Sequence, residues 1–443
     1  MKKMTKLVAF GLAATMTAGL TGCGTESQAA TPSSIADTAK ASQADEAASA
    51  STAAQTESSE IVSTMSQTDD ATKIHKIGVA VYNLNDDEVK MFRSYYEDYL
   101  TAAFNVDFLY SDTITTIDDE KAFVDQAKEA GCEGIISYVS YDLPEITAYC
   151  ADDMYYAIAS GTFTEDEFAQ ASQHEKFLGI TGPSEEDEYT AGKNLIAALA
   201  KDGDDLSATQ KTWLLCSGGS ASGNYMHSQR LAGALDELQS LGYTLTASAD
   251  EIKAMTDTGV IANHPDGGSV TLLSGYYYST EDQLHFTQTL DSMEPDVAVS
   301  VCTLSNMYPN LLNKEKQQDK DIKIGAVDSF TDTNREAFEA KDSFGNSQID
   351  CIVGKCRAMG APAFIAMYNA VTGHADVVRD NGAAYHLSQD MWTAATLEEY
   401  EEMSAKASNI YQNVYSTEEM MQVLGVFNPN ADFASFTAFV DKL

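Results

Sequence analysis

Positive charge is scarce in this sequence. Against 67 aspartates and glutamates stand 27 lysines and arginines, giving a formal net charge of -40. So acidic a surface repels phosphate backbones and anionic headgroups, which argues against nucleic acid as a partner and against flat docking on anionic lipid. Catalytic signatures are missing as well. Gly218-Gly219-Ser220-Ala221-Ser222 lacks the second glycine of a GxSxG elbow, and there is no GxGxxG, no GxxxxGK[ST] and no HExxH. Paired carboxylates such as Asp152-Asp153 and Glu185-Glu186-Asp187 read as solvated surface in a chain this acidic. The expectation is a binding protein, not an enzyme, with no cofactor.

Cysteine is sparse and unclustered. Of seven, Cys351 and Cys356 are five apart with no CxxC and no grouped histidines, which argues against zinc. Cys132, Cys150, Cys216, Cys302, Cys351 and Cys356 read as buried thiols, although their even number permits disulfides in an oxidising compartment. A long apolar run is also absent: Leu7 to Leu20 is shorter than the roughly 20 residues that span a bilayer and contains Thr and Gly.

That short run has another use. Lys2, Lys3 and Lys6 precede it, and Leu20-Thr21-Gly22-Cys23 closes it, the three parts of a signal peptide (1–22) with a lipoprotein cleavage box. Cys23 is then the lipidated residue that ties the chain to the membrane. From 24 to 72 there is no aromatic residue and no Leu, so the segment cannot bury enough apolar surface to offset the entropy of ordering it. Residues 23–72 read as a tether.

The remainder alternates short apolar strands with amphipathic helices. Ile77 to Tyr82, Val106 to Tyr110, Gly134 to Tyr138, Tyr155 to Ala159 and Phe177 to Ile180 read as strands, with helices over Glu88 to Phe104, Lys121 to Ala130 and Ala191 to Ala200. The alternation restarts at Thr212 to Cys216 and runs on through Val270 to Leu273, Val297 to Val301 and Ile322 to Val327. Two such series imply an α/β protein of two Rossmann-like lobes with parallel sheets and a cleft between them. Ligands of open α/β sheets bind beyond the carboxyl ends of the strands, so the loops there are the candidate site.

Five stretches in this order resemble the type 1 periplasmic binding proteins, in particular their ribose- and galactose-binding branch: Ile77 to Asp86, Ala130 to Ile136, Tyr189 to Lys193, Arg230 to Leu235 and Ile324 to Asp328. The resemblance covers roughly residues 74 to 395. It implies two lobes joined by a hinge: 73–208 with 355–375 as the first lobe, 209–354 with 376–395 as the second, and 396–443 as a helical C-terminal extension. It also implies a sugar ligand, with Asn85 and Asp86 in the loop after the first strand, Tyr278 as an aromatic plate and Asp328 as an acceptor for hydroxyls. Sugar chemistry suits these residue types, since hydroxyls pair with carboxylates and amides while a ring face lies on an aromatic. Each has a second reading: Asp328 as a helix N-cap, Tyr278 as lobe packing, Asn85 as a turn former.

Departures from the pattern stand beside the matches. The family's Asp-Arg pair after the fourth strand is Ala159-Ser160 here, its Asn-Asp pair is Cys302-Thr303, and its sugar-binding arginine is replaced by Ser228 beside His227. Serine cannot reproduce a bidentate arginine, so the usual pyranose binding mode is in doubt and a nucleoside, polyol or larger ligand stays open. Ser222, in the glycine-rich loop after Leu214, with His227, Thr303 and Lys355, completes the candidate set. Phe427, Phe433, Phe436 and Phe439 read as anchors of the extension. The resulting expectation is a lipid-anchored solute-binding protein that hands its ligand to ABC permease subunits. A surface sensor signalling to a receptor kinase is the alternative.

Overall fold

The computed structural model describes residues 72–150, 153–200, 207–408 and 413–443. The expected signal peptide, Cys23 and nearly all of the tether lie outside them.

The first series supplies β1 (His75–Ala80), α1 (Asp87–Ser94, continued by a π-helical turn over Tyr95–Leu100 and by Thr101–Ala103), β2 (Val106–Tyr110) and α2 (Ile117–Glu129). It continues with β3 (Gly134–Ser137), α3 (Leu143–Cys150), β4 (Tyr155–Ala159), α4 (Glu165–Ala171) and β5 (Phe177–Gly182). These strands lie in the order β5-β4-β3-β1-β2 and are all parallel. β3 is buried along its whole length, as a strand covered on both faces must be.

After α5 (Glu185–Leu199) the second series gives β6 (Thr212–Cys216), α6 (Tyr225–Ser240), β7 (Thr244–Leu245), α7 (Ala249–Lys253), β8 (Gly259–Asn263) and β9 (Ser269–Leu273). Then come α8 (Thr280–Asp291), β10 (Val297–Ser300), α9 (Tyr308–Gln318), β11 (Lys323–Ser329), α10 (Asp332–Glu339) and β12 (Cys351–Lys355). The last stretch holds α11 (Ala361–Val371), β13 (Tyr385–Ser388), β14 (Trp392–Ala394), α12 (Leu397–Ser408), α13 (Thr417–Gln422) and α14 (Phe433–Val440). The second sheet is ordered β14-β12-β11-β10-β6-β9-β8-β7, parallel except where β14 meets β12 and where β7, β8 and β9 form antiparallel pairs.

Local chemistry sets the helix starts. Ser184 and Asp187 form a reciprocal capping box on α5, and four acids crowd its first turn, where the helix dipole favours negative charge. Thr164 and Glu167 do the same for α4. α11 is buried on nearly every side, so its apolar sequence places it within the molecule, against β3, β4 and β5.

Two expected boundaries move. The sequence order puts α5 with the first lobe, but Ala191, Leu195, Ile196 and Leu199 share a core with Trp213, Leu231, Leu235 and Val299 of the second. The chain therefore crosses near Pro183 and not near residue 208. The 376–395 segment divides: β13 pairs in parallel with β5 in the first sheet, Tyr385 opposite Gly179, and only β14 joins the second.

The extension also divides. Tyr400 of α12 stacks on Phe330 with centroids 4.6 Å apart and donates to the Thr331 carbonyl, so α12 belongs to the second lobe. Beyond it, Phe436 packs against Tyr385, and Asn369 of α11 donates to Val423 O and accepts from Gly425 N, which puts α13 and α14 on the first. The lobes are thus joined near Pro183, through Cys356 to Gly360, through Gln389 to Met391, and at Val414 to Tyr415, where Val414 N still donates to Lys406 O of α12 while Tyr415 O accepts from the Tyr99 hydroxyl of the first lobe. All six described cysteines are buried. Among the described residues no helix is long and apolar enough to cross a membrane.

Candidate functional site

Each sheet reverses its strand order once: between β1 and β3 in the first lobe, and between β6 and β10 in the second. Loops leaving neighbouring strands diverge at such points and leave a crevice at their carboxyl ends. From the first lobe this brings in Tyr82, Asp86 and Glu88; from the second, Thr303, Asp328, Ser329 and Lys355.

Asp86 caps α1, its Oδ1 accepting from Glu88 N at 2.9 Å and from the Tyr82 hydroxyl at 2.9 Å. Burial and the neighbouring Glu88 raise its pKa. Glu88, in the first turn of the helix, is the bridge between the lobes. Its Oε2 accepts from Ser329 Oγ at the end of β11, and its Oε1 lies 3.7 Å from Lys355 Nζ at the end of β12. Desolvation works to raise its pKa, but Lys355, Ser329, Arg230 and Tyr82 outweigh it and hold Glu88 below the usual value, hence ionised. Asp87 makes a second link, accepting from Thr333 Oγ1 at 2.6 Å.

Lys355 ends β12 and reaches across to the first lobe. Its ammonium, on a residue 4 % exposed, donates to the Ser160 carbonyl at 3.0 Å. Ser160 adopts φ +59, a left-handed conformation that costs a non-glycine residue energy and turns its carbonyl to that lysine.

Asp328 accepts from Ser329 N at 2.8 Å and from Asn334 Nδ2 at 3.0 Å. Burial pushes its pKa up to about 6 against those bonds. The cap of α10 is Thr331, so the N-cap reading of Asp328 falls away. Tyr278 and Thr303 line one tight recess with Tyr276 and Cys302, which leaves no room for a water molecule. The Tyr278 and Tyr276 rings stack with centroids 6.1 Å apart. Desolvation of the Tyr278 hydroxyl and the charges of Asp86, Cys302, Asp328 and Glu88 raise its pKa, so carboxylates of both lobes act on it although 57 % of the residue is exposed.

The structure therefore brings Asp86, Tyr278, Thr303, Asp328 and Lys355 together, sets His227 behind them with its ring 5.5 Å from that of Tyr276, and leaves Asn85 and Ser222 apart. The side chain of Asn85 is exposed, and its backbone N–H closes a turn on Asn83 Oδ1. Ser222 is exposed on a 3-10 turn. His227 is buried, and its Nδ1 accepts from Gly219 N at 3.0 Å; burial, then Arg230 and Lys355, hold its pKa well below normal, so the neutral ring fixes the glycine-rich loop. Glu88 went unread in the sequence; the run Asn85-Asp86-Asp87-Glu88 held the signal, with the fourth residue one position past the loop.

The two-lobed arrangement has solved counterparts. An ABC transporter solute-binding protein from Bacillus halodurans C-125 with bound myo-inositol superposes with a TM-score of 0.54 at 17 % identity, over 76 % of this chain and 100 % of that one. The binding protein of an arabinose ABC transporter from Shewanella sp. ANA-3, bound to α- and β-L-arabinofuranose, gives 0.50 at 15 % identity over 75 % and 95 %. A periplasmic solute-binding protein from Actinobacillus succinogenes 130z with bound D-allose gives 0.52 at 12 % identity over 74 % and 99 %. This chain has the type 1 periplasmic binding protein fold. No protein-family model and no curated protein matches the sequence, so the periplasmic binding protein fold is carried by architecture at low identity.

Proposed function

We propose that this protein is an extracytoplasmic solute-binding protein that captures a sugar, or a similarly hydroxyl-rich small molecule, by closing its lobes, and delivers it to an ABC importer. The observation that carries this reading is Glu88 reaching from the first lobe to Ser329 and Lys355 of the second. Both strand ends converge there on acceptors and one ammonium, with the Tyr278 ring alongside. Hydroxyls entering from solvent would compete for Glu88, Asp328 and Lys355 while a sugar face lies against Tyr278. A ligand that bonds both lobes at once stabilises the closed form by its differential affinity for that form. The basic start and the Leu20 to Cys23 box support export and a lipid anchor on Cys23, which would hold the binding unit beside a permease at the outer face of the membrane.

The test is calorimetric titration of the full chain with myo-inositol, arabinose, allose, other sugars, polyols, nucleosides and amino acids, repeated with Asp328→Ala. A saturable response to a hydroxylated ligand, lost in the variant, supports the reading. Binding that persists in the variant overturns the cleft assignment, and a response confined to amino acids overturns the ligand class.

A further inference from the structure

At the end of β11 remote from Asp328, three carboxylates meet. Glu315 comes from the second half of α9, Asp321 from the loop entering β11 and Asp342 from the turn before β12; each brings an oxygen to within 4.8 Å of the other two. Their hydrogen bonding is incomplete. Glu315 is 1 % exposed; its Oε1 accepts from Ile322 N at 3.3 Å, whereas its Oε2 has no partner. Asp342 holds its own turn, Oδ1 accepting from Phe344 N at 2.8 Å and Asn346 N at 2.9 Å, while its Oδ2 is buried without a donor. One turn on from Glu315, Gln318 Oε1 is likewise buried and unpartnered.

We propose that Glu315, Asp321 and Asp342 form a divalent-cation site, with Ca2+ as the fitting ion, that fastens α9, the start of β11 and the 341–347 turn to one another. Buried carboxylate oxygens without donors are costly unless a proton or a cation satisfies them. Neighbouring positive charge is already engaged. Lys323 is divided between Asp321 Oδ2 at 2.8 Å and Asp350 Oδ1 at 3.1 Å, and Lys320 pairs with Asp296. The donor set is all oxygen, which suits hard cations. Oxygens on opposite sides of Ca2+ stand about 4.6–5.2 Å apart, against about 4.0–4.2 Å for Mg2+. Three oxygens that all lie within 4.8 Å of one another can meet on one Ca2+, whose flexible coordination tolerates the uneven set better than the strict octahedron of Mg2+. The competing occupant is a proton: burial, then Asp321, Asp342 and Asp350, push the Glu315 pKa up to about 7. Because the site lies at the far end of the strand from the ligand cleft, it acts on the stability of the second lobe and leaves the cleft's donors and acceptors untouched.

The experiment follows thermal unfolding of the full chain at pH 7.5 after chelator treatment, with added CaCl2 or MgCl2, beside the same titration read by calorimetry. Ca2+ is expected to raise the melting temperature with one site filling at or below about millimolar concentration, as in extracellular modules, and Mg2+ to do less. Glu315→Gln and Asp342→Asn, which each keep an acceptor oxygen, should lose the Ca2+ response, and Glu315→Gln should melt in chelator no lower than the parent. The proposal is overturned if neither cation shifts the parent, or if the Ca2+ shift survives both substitutions and so belongs to other acids. It is also overturned if lowering the pH from 8 to 6 stabilises the parent while Ca2+ does nothing, the signature of a shared proton.

Discussion

Glu88 Oε1 lies 3.7 Å from Lys355 Nζ, joining the first helix of one lobe to the last parallel strand of the other. The pairing is unequal: Lys355 is 4 % exposed, whereas the Glu88 side chain keeps 21 % of its surface. Losing the carboxylate strands a buried ammonium whose other oxygen partner is the Ser160 carbonyl, and it also weakens the Ser329 hydroxyl's contact. Glu88→Gln should therefore lower the stability of the unliganded protein by about 1–2 kcal/mol, less than a fully buried pair would give because Glu88 is partly solvated. It should also shift the lobes toward the open form, seen as a larger radius of gyration in small-angle scattering. An unchanged radius and melting temperature would show that the bridge contributes nothing to closure.

If Asp328 accepts from the ligand as proposed, binding depends on pH. As a carboxylate it accepts charge-assisted bonds from ligand hydroxyls; as an acid it is a weaker, uncharged acceptor with a proton of its own to donate, and burial has pushed its pKa up to about 6. A ligand that bonds the charged form must bind more weakly once the proton is on. Affinity for a hydroxylated ligand should thus fall as pH drops from about 7.5 to 5, by up to about tenfold for each unit below the free-protein pKa. Titration calorimetry at several pH values checks this, with Asp328→Asn expected to bind weakly and with a flat profile.

Much of this architecture was readable in the chain. β1, the strands from β3 to β6 and the β9–β11 series announce themselves as apolar runs of four to seven residues, because parallel strands covered on both faces carry no polar alternation. What the pattern hid was membership. β13 reads as a short strand either way, and only its pairing with β5 assigns it to the first lobe; α5 follows the first series in sequence but buries its apolar face in the second. Among the candidate residues, Asp86, Tyr278, Thr303, Asp328 and Lys355, which the structure brings near one another, stand out in the sequence because they lie at strand ends or in loops. Glu88 was missed because it lies on a helix, where an acid in the first turn already has a local reason to be present.

The Arg230 to Glu188 ion pair is the most deeply buried in the described chain, at 6 % and 0 % side-chain exposure. Arg230 also donates to Val301 O at 3.0 Å, and Glu188 accepts from Thr162 Oγ1 of the first lobe at 3.2 Å. Arg230→Met leaves Glu188 charged and dry, so it should cost about 3–5 kcal/mol in urea unfolding. Adding Glu188→Gln should recover part of that loss, since the uncompensated charge causes most of it. A double variant as unstable as the sum of the single changes would place the cost in lost packing.

Gly192 and Gly233 explain why two of the recognisable stretches carry glycine at those positions. A Cβ built on Gly233 would stand 1.9 Å from Tyr189 O, and one on Gly192 would stand 1.9 Å from Arg230 O, so α5 and α6 cross backbone against backbone. Neither carbonyl can yield without parting the helices, which would also pull Arg230 from Glu188. Gly233→Ala should then cost about 2 kcal/mol or more through overpacking. Gly223, in the loop just before α6, gives the contrast: its φ is +85 but nothing lies within 4 Å of a built Cβ, so Gly223→Ala carries conformational strain alone and should cost about 1 kcal/mol. Urea midpoints of the two variants, measured side by side, separate the two causes. If Gly233→Ala proves no worse than Gly223→Ala, the helices have room to part and the close crossing is not what the glycines serve.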